Sequence, residues 1–211
     1  TCEYLDCQGQ DYTEYDDIWI GDTYCDDGNW NLFFNCEYFN YDEGDCDTPS
    51  ELGLELQGIL DLSLSGSNGK AIHLKVHGEI EDLSIYAIGV ANNGGGSDGE
   101  EYFLPAISAS DGDDILLARN TQAMSVYFGS CIGKFEHLIQ VGGGIDQNGD
   151  DAIELYKNGD VIETLGLADV DGTGTTWEYT DSWAFKLETW TFGEVNCTDG
   201  IASNDVSPCP Y

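Results

Sequence analysis

Beyond residue 51 the apolar residues fall into brief alternating runs separated by clusters of glycine, asparagine and aspartate. Leu52, Leu54 and Leu56 alternate with Gly53 and Glu55, Leu60, Leu62 and Leu64 keep the same period, and Ile72, Leu74 and Val76 alternate with His73, Lys75 and His77. A period of two turns one face of each segment toward a core and the other toward water, as half-buried strands require. Further strands are predicted over residues 83–91, 101–107, 114–118, 135–141, 152–157, 161–166, 182–187 and 189–192, and one short helix over 120–128. Asn68-Gly69, Asn148-Gly149 and Asn158-Gly159 are dipeptides that tight hairpins favour, because both residue types tolerate positive φ. The clearest hairpin joins Ile153-Glu154-Leu155-Tyr156 to Val161-Ile162-Glu163 through Asn158-Gly159. Many short strands without alternating helices predict an all-β fold, a sandwich or a barrel.

The first fifty residues break this pattern. Between Trp19 and Cys46 lie seven carboxylates, three cysteines and eight aromatics with almost no aliphatic residue, so an ordinary apolar core cannot hold the segment. Crowded carboxylates repel one another unless a cation neutralises them, and hard oxygen ligands suit Ca2+. Disulfides supply the covalent frame that such a segment lacks. The expected organisation is a small disulfide-rich, Ca2+-binding module over residues 1–47, followed by a second domain over 48–211, with Asp47-Thr48-Pro49-Ser50 as a turn-rich joint. A solvated acidic loop is the alternative.

Composition narrows the functions. The formal charge is −35, from 41 acidic against 6 basic residues, and residues 1–50 carry no lysine or arginine. Such a field repels phosphate backbones and anionic headgroups, which argues against nucleic-acid or direct membrane-surface binding and leaves calcium and cationic partners compatible. No stretch approaches the roughly 20 apolar residues of a membrane span. Eight cysteines with scarcely any metal-type spacing point to disulfides, an oxidising compartment and a secreted or surface-displayed protein. Thr1-Cys2 reads either as a mature terminus left by cleavage or as a trimmed one. If Cys2, Cys7, Cys25, Cys36 and Cys46 pair among themselves, one is left over. The most economical arrangement gives that one to Cys131 and joins Cys197 to Cys209, although spacing does not dictate connectivity.

Two resemblances add to this reading. Asp42-Glu43-Gly44-Asp45-Cys46, with Asn35 upstream and the Gly21-Asp22-x-x-Cys25 pattern, resembles a Notch-type repeat, a small extracellular Ca2+-binding unit with three disulfides. Such repeats end in Asp-Gly-x-Asp-Cys and have six cysteines, whereas residues 2–46 have Glu43 at the glycine position and five cysteines, so the family pairing does not transfer. The resemblance implies Asn35, Asp42 and Asp45 as calcium ligands, to which proximity adds Asp22, Asp26 and Asp27. Over residues 52–195, segments such as GILDLSL, GKAIHLKV and, most specifically, Asn148-Gly149-Asp150-Asp151-Ala152-Ile153-Glu154-Leu155 resemble bacterial lamin-tail domains. That likeness implies an immunoglobulin-like β-sandwich with no catalytic centre, used as an extracellular appendage.

Catalytic patterns are weak. His73 and His77 share the polar face of one strand about 13 Å apart, too far for one metal, and read as satisfied surface histidines. His137 has no nucleophile near it in sequence, and Cys131 reads as a disulfide partner rather than a nucleophile. Asp and Glu pairs suited to glycoside hydrolysis are too numerous to be specific. The loops at Gly94-Gly95-Gly96 and Gly142-Gly143-Gly144 lack a phosphate-binding lysine. Those at Asp146–Asp151 and Asp169–Gly174 fail the twelve-residue calcium-loop frame and read as turns. Trp177, Tyr179 and Trp183 alternate on one face and could either stack on sugars or fill the core. Asn196-Cys197-Thr198 fits the N-glycosylation pattern. The expectation is a non-enzymatic extracellular structural or adhesive protein, a self-associating subunit of a filament or matrix or one that binds other surface proteins. A carbohydrate- or protein-binding accessory module is the alternative, and a secreted hydrolase a third.

Overall fold

The computed structural model describes residues 6–7, 19–22, 24–26, 32–35, 39, 42, 53–187 and 189–196. It divides into two compact units, Thr1–Glu51 and Leu52–Tyr211. In the second, six strands form one sheet in the order β10-β9-β1-β2-β5-β6: β1 (Gly53–Leu62), β2 (Gly69–His77), β5 (Asp114–Ala118), β6 (His137–Gln140), β9 (Trp183–Lys186) and β10 (Trp190–Phe192). Four form a second, ordered β4-β3-β7-β8: β3 (Tyr86–Ala91), β4 (Tyr102–Phe103), β7 (Ala152–Lys157) and β8 (Asp160–Leu165). The fold is all-β. The sheets share one core, in which Leu56, Ile59, Ile72 and Leu74 of the first meet Ile88, Val90, Ile153 and Leu155 of the second.

Alternation along β1 changes phase midway. The register with β2 steps from Leu56↔Leu74 to Gly58↔His73, so Gln57 is an extra residue in a β-bulge. Leu54 and Leu56 therefore join the intersheet core, whereas Leu60 and Leu62 face the opposite side. There they pack with Ala71, Leu116 and Ala118 beneath Met124 and Phe128 of α1 (Thr121–Phe128). This helix and the 3-10 segment Gly129–Lys134 make the crossover that the parallel β5–β6 pair needs. Asn120 caps α1 by accepting a hydrogen bond from the Ala123 N–H at 3.0 Å, as a short polar side chain does at a helix start.

The hairpin at Asn158-Gly159 forms as the dipeptide requires, with φ of 55° and 89°. The other two dipeptides behave differently. Positive φ between β1 and β2 falls on Gly66 and Ser67, one step before Asn68-Gly69, because a longer turn spans Ser65–Ser67. Asn148-Gly149 lies in a packed loop rather than a hairpin. Of the strand predicted over 101–107 only Tyr102–Phe103 pairs, and residues 83–85 open with a 3-10 turn in place of strand.

In the first unit, Phe34 is fully buried and stacks at a tilt on Phe39, with ring centroids 4.9 Å apart. Backbone bonds run from the Cys7 N–H to Phe33, from the Phe34 N–H to Asp26 and from the Asp42 N–H to Phe34.

Candidate functional site

The proposed calcium ligands are only partly visible. Asp42 is fully buried with φ of 61°. Its two carboxylate oxygens accept the Asp26 N–H at 2.8 Å and the Gly21 N–H at 3.3 Å, which ties three parts of the unit together. Asp26 and Asp6 are also buried. Asp22 accepts the Tyr24 N–H in a local turn, and Asn35 is exposed. Asp27 and Asp45 lie outside the described residues, as do Cys2, Cys36, Cys46, Cys197 and Cys209. Cys7, Cys25 and Cys131 are disulfide-bonded. Among the described residues no three His, Cys, Asp or Glu side chains are grouped to hold a metal.

The loop over residues 147–151 knots the second unit together. Asp151 is fully buried, and its oxygens accept the Asn93 N–H at 2.7 Å and the Asn148 N–H at 2.8 Å. Burial pushes its carboxyl above the ordinary range, against the lowering effect of those two bonds. Gly149, at φ of 84°, lets the chain run against Thr180 so closely that a Cβ would lie 2.4 Å from the Thr180 Cα. Gln147, fully buried, donates to the Leu60 carbonyl at 3.1 Å. Lys70 reaches the same loop: it donates to the Gln147 carbonyl and to Asn148 Oδ1 and stands 3.7 Å from Asp61. Both members of that ion pair are buried, and burial raises the Asp61 pKa although Lys70 pulls it down.

This knot corrects the aromatic reading. Tyr179 is fully buried and donates its hydroxyl to the Asp151 carbonyl at 3.0 Å, and Trp183 is 5% exposed, so neither offers a face to a sugar. Trp177 packs its ring against the bare Cα atoms of Gly166 and Gly172. Only Trp183 of the three lies in a strand, so the expected alternation does not exist. The glycine-rich 92–99 loop is likewise fastened, with the Ser97 hydroxyl donating to Glu154 at 2.6 Å. Asn196 is exposed, and its N–H bonds the Thr180 carbonyl.

Among the described residues, the crossover covers only part of the width of the outer face of the six-stranded sheet. Beside that cover opens a cavity of about 350 Å³, floored by His73, Lys75 and Phe185 and walled by Phe128, Lys134 and Phe135. His73 is buried rather than on the surface as the alternation implied, because Phe135 stands edge-on against it with centroids 5.1 Å apart. Burial holds its pKa below the ordinary value, outweighing the hydrogen bond between Nε2 and Asp114 at 2.7 Å. Asp114 also takes Lys75 at 3.0 Å. Lys186, another lining residue, bridges Glu55 at 2.5 Å and Glu163 at 2.8 Å. Burial pushes the Glu55 carboxyl up, but Lys186 and His77 outweigh it and hold it below its ordinary value. Glu163 Oε2 accepts the Leu56 N–H at 2.7 Å beside the bulge, so one carboxylate of β8 clasps both sheets. His137 pairs with Asp113 at 3.0 Å. Period and charge gave no hint of this cavity. Its phenylalanines, Phe128, Phe135 and Phe185, come from three separate segments, so no local pattern announces it.

No protein-family model, no curated protein and no solved structure matches the chain. What the coordinates define is a class: an all-β protein of two sheets around one core, with no described helix long and apolar enough to cross a membrane.

Proposed function

We propose that the chain is a non-enzymatic, secreted structural or adhesive protein. In this reading the second unit is an immunoglobulin-like sandwich of lamin-tail type, and the first is a disulfide-bonded brace that folds around Ca2+. One observation carries it. Asp6, Asp26 and Asp42 are buried in a unit whose first fifty residues hold 14 carboxylates and no lysine, arginine or histidine. Backbone N–H groups, as at Asp42, ease part of the cost of burying a carboxylate, and a hard divalent cation relieves the mutual repulsion of so many acids. Asp22, Asp26, Asp42 and Asn35, completed by Asp27 and Asp45, are the ligands in this reading.

Self-association follows from the edges. Among the described residues β8 pairs with β7 alone and exposes Val161 and Ile162, which suits strand addition by a second copy or another surface protein. Repulsion between two chains of charge −35 makes that contact dependent on calcium or salt. The test is thermal unfolding with limited proteolysis, with and without a chelator, paired with sedimentation at several calcium levels. Chelation is expected to lower the melting temperature and open cleavage sites within residues 1–50. Unchanged melting and protection would end the calcium reading, and a single monomeric species throughout would end the assembly reading. An accessory binding role is the second reading, favoured by the cavity beside His73.

A further inference from the structure

We propose that the cavity on the outer face of the six-stranded sheet binds a small organic carboxylate with an aromatic or alkyl body. The inference is independent of the calcium reading, since every residue it uses belongs to the second unit.

Shape and lining come first. About 350 Å³ lies within the range of small-molecule pockets, which are mostly apolar with a few convergent polar groups. Phe128, Phe135 and Phe185 supply aromatic walls, and Leu187, 64% exposed, extends the apolar surface at the rim. The walls are fixed in place. Phe128 and Phe135 meet edge-on at 5.4 Å, Gln57 is held at the β1 bulge by its bond to the Lys186 carbonyl, and the neighbouring Cys131 is disulfide-bonded. A preformed pocket spends little of its binding energy on ordering side chains.

Charge then selects the ligand. The chain has six basic side chains against 41 acids, yet Lys75, Lys134 and Lys186 all line this one cavity, and among the described lining residues Asp114 is the only acid. Lys75 is engaged by Asp114, and Lys186 by Glu55 and Glu163. Lys134 has no acidic partner among the described residues, sits at the end of the crossover and is exposed. A cationic ligand would meet three ammonium groups. A neutral hydrocarbon would leave Lys134 unused. A carboxylate can pair with Lys134 while its body displaces water from the phenylalanines, combining a charge-assisted bond with apolar burial. His73 stays neutral at neutral pH and adds ring surface rather than charge.

The experiment is calorimetric titration of the full chain with octanoate, octylammonium and 1-octanol at matched ionic strength. Octanoate is expected to bind with one site per chain, and octylammonium and octanol at least about tenfold more weakly, the loss of one charge-assisted contact. Lys134→Gln should weaken octanoate about tenfold and Lys134→Arg should restore it. The Lys134 side chain is exposed and makes no hydrogen bond or ion pair among the described residues, so both variants keep the fold, as circular dichroism will register. Leu187→Gln, at another exposed position, should weaken octanoate several-fold and leave the charge preference intact. The proposal is overturned if octanoate does not bind, if octylammonium binds as well as octanoate, or if Lys134→Gln binds octanoate as the wild type does.

Discussion

Lys70→Met is the sharpest test of how the second unit is held together. Lys70 and Asp61 are opposite one another in the β1–β2 register, with side chains only 7% and 11% exposed. Methionine keeps the apolar stem and removes the ammonium. Asp61 then keeps one backbone bond, from the Asp181 N–H at 3.2 Å, and Gln147 and Asn148 lose their donor. Removing one member of a buried pair costs about 3–5 kcal/mol, and the 3.7 Å separation places this case near the lower end, at about 3 kcal/mol. In a domain of this size that corresponds to a melting temperature lower by about 6–12 °C. Asp61→Asn in the same background removes the stranded charge and should recover part of the loss. The deficit should also shrink on acidification: Asp61 has its pKa raised by burial, so its penalty is present at neutral pH and disappears as pH falls through the folded-state value. Thermal unfolding followed by tryptophan fluorescence measures all three. A Lys70→Met loss below about 1 kcal/mol, or a double variant no more stable than Lys70→Met, refutes the role given to the pair.

Three further outcomes follow from the geometry. Glu163→Ala strands the Leu56 N–H and releases Lys186, so it should cost about 1–3 kcal/mol in urea unfolding, and a value near zero would remove the intersheet clasp. Gly149→Ala should destabilise far more than Gly159→Ala: both sites have positive φ, worth about 1–2 kcal/mol each, but only Gly149 faces backbone within 2.4 Å, while Gly159 has open space. Equal losses would show that the 148–151 loop is not packed as described. Finally, His73 has a depressed pKa, so its contribution is complete above its ordinary value of 6.5 and is lost as pH falls from there through the folded-state value. Wild type should therefore lose stability relative to His73→Gln between neutral pH and that lower range, and a difference independent of pH would contradict the burial of the ring.

Much of the second unit was legible because alternation and turn chemistry are local. The β2, β5 and β7 segments, α1 with its Asn120 cap, and the Asn158-Gly159 hairpin each carry their instruction within a few residues. The phase change in β1 was not legible. Leu54 to Leu62 reads as one unbroken period until the partner strand shows that Gln57 is extra. Tyr179 and Trp183 fill the core, the second of the two readings open for them, but the expected alternation fails for a similar cause, since an alternating sequence can also occupy a turn when a distant carbonyl, here Asp151, captures the tyrosine hydroxyl. His73 was misplaced because a strand's outward face is polar only where nothing covers it, and Phe135 arrives from a segment about sixty residues away. Asp61 and Lys70, by contrast, flank one hairpin with opposite charges, a signal that could have been used.

The distribution of charge links the two units to different physics. Every lysine, arginine and histidine lies between residues 70 and 186, and most are spent on specific acids: Lys70 on Asp61, Lys75 on Asp114, Arg119 on Asp146, Lys186 on Glu55 and Glu163. Lys157 lies 5.7 Å from the Tyr86 ring centroid, which leaves Lys134 as the cation with neither an acid nor a ring partner among the described residues. The second unit therefore settles its buried charge with its own bases, whereas the first has 14 acids in residues 1–50 and no basic side chain, and in the calcium reading proposed above a bound cation offsets their repulsion. That asymmetry predicts opposite responses to added salt and calcium. Variants of the Lys70 pair, buried and poorly screened, should respond little to either, while the melting of the first unit should depend on calcium concentration by mass action. Two transitions that separate on chelation and merge on adding calcium would follow from this division, and one transition unmoved by either would contradict it.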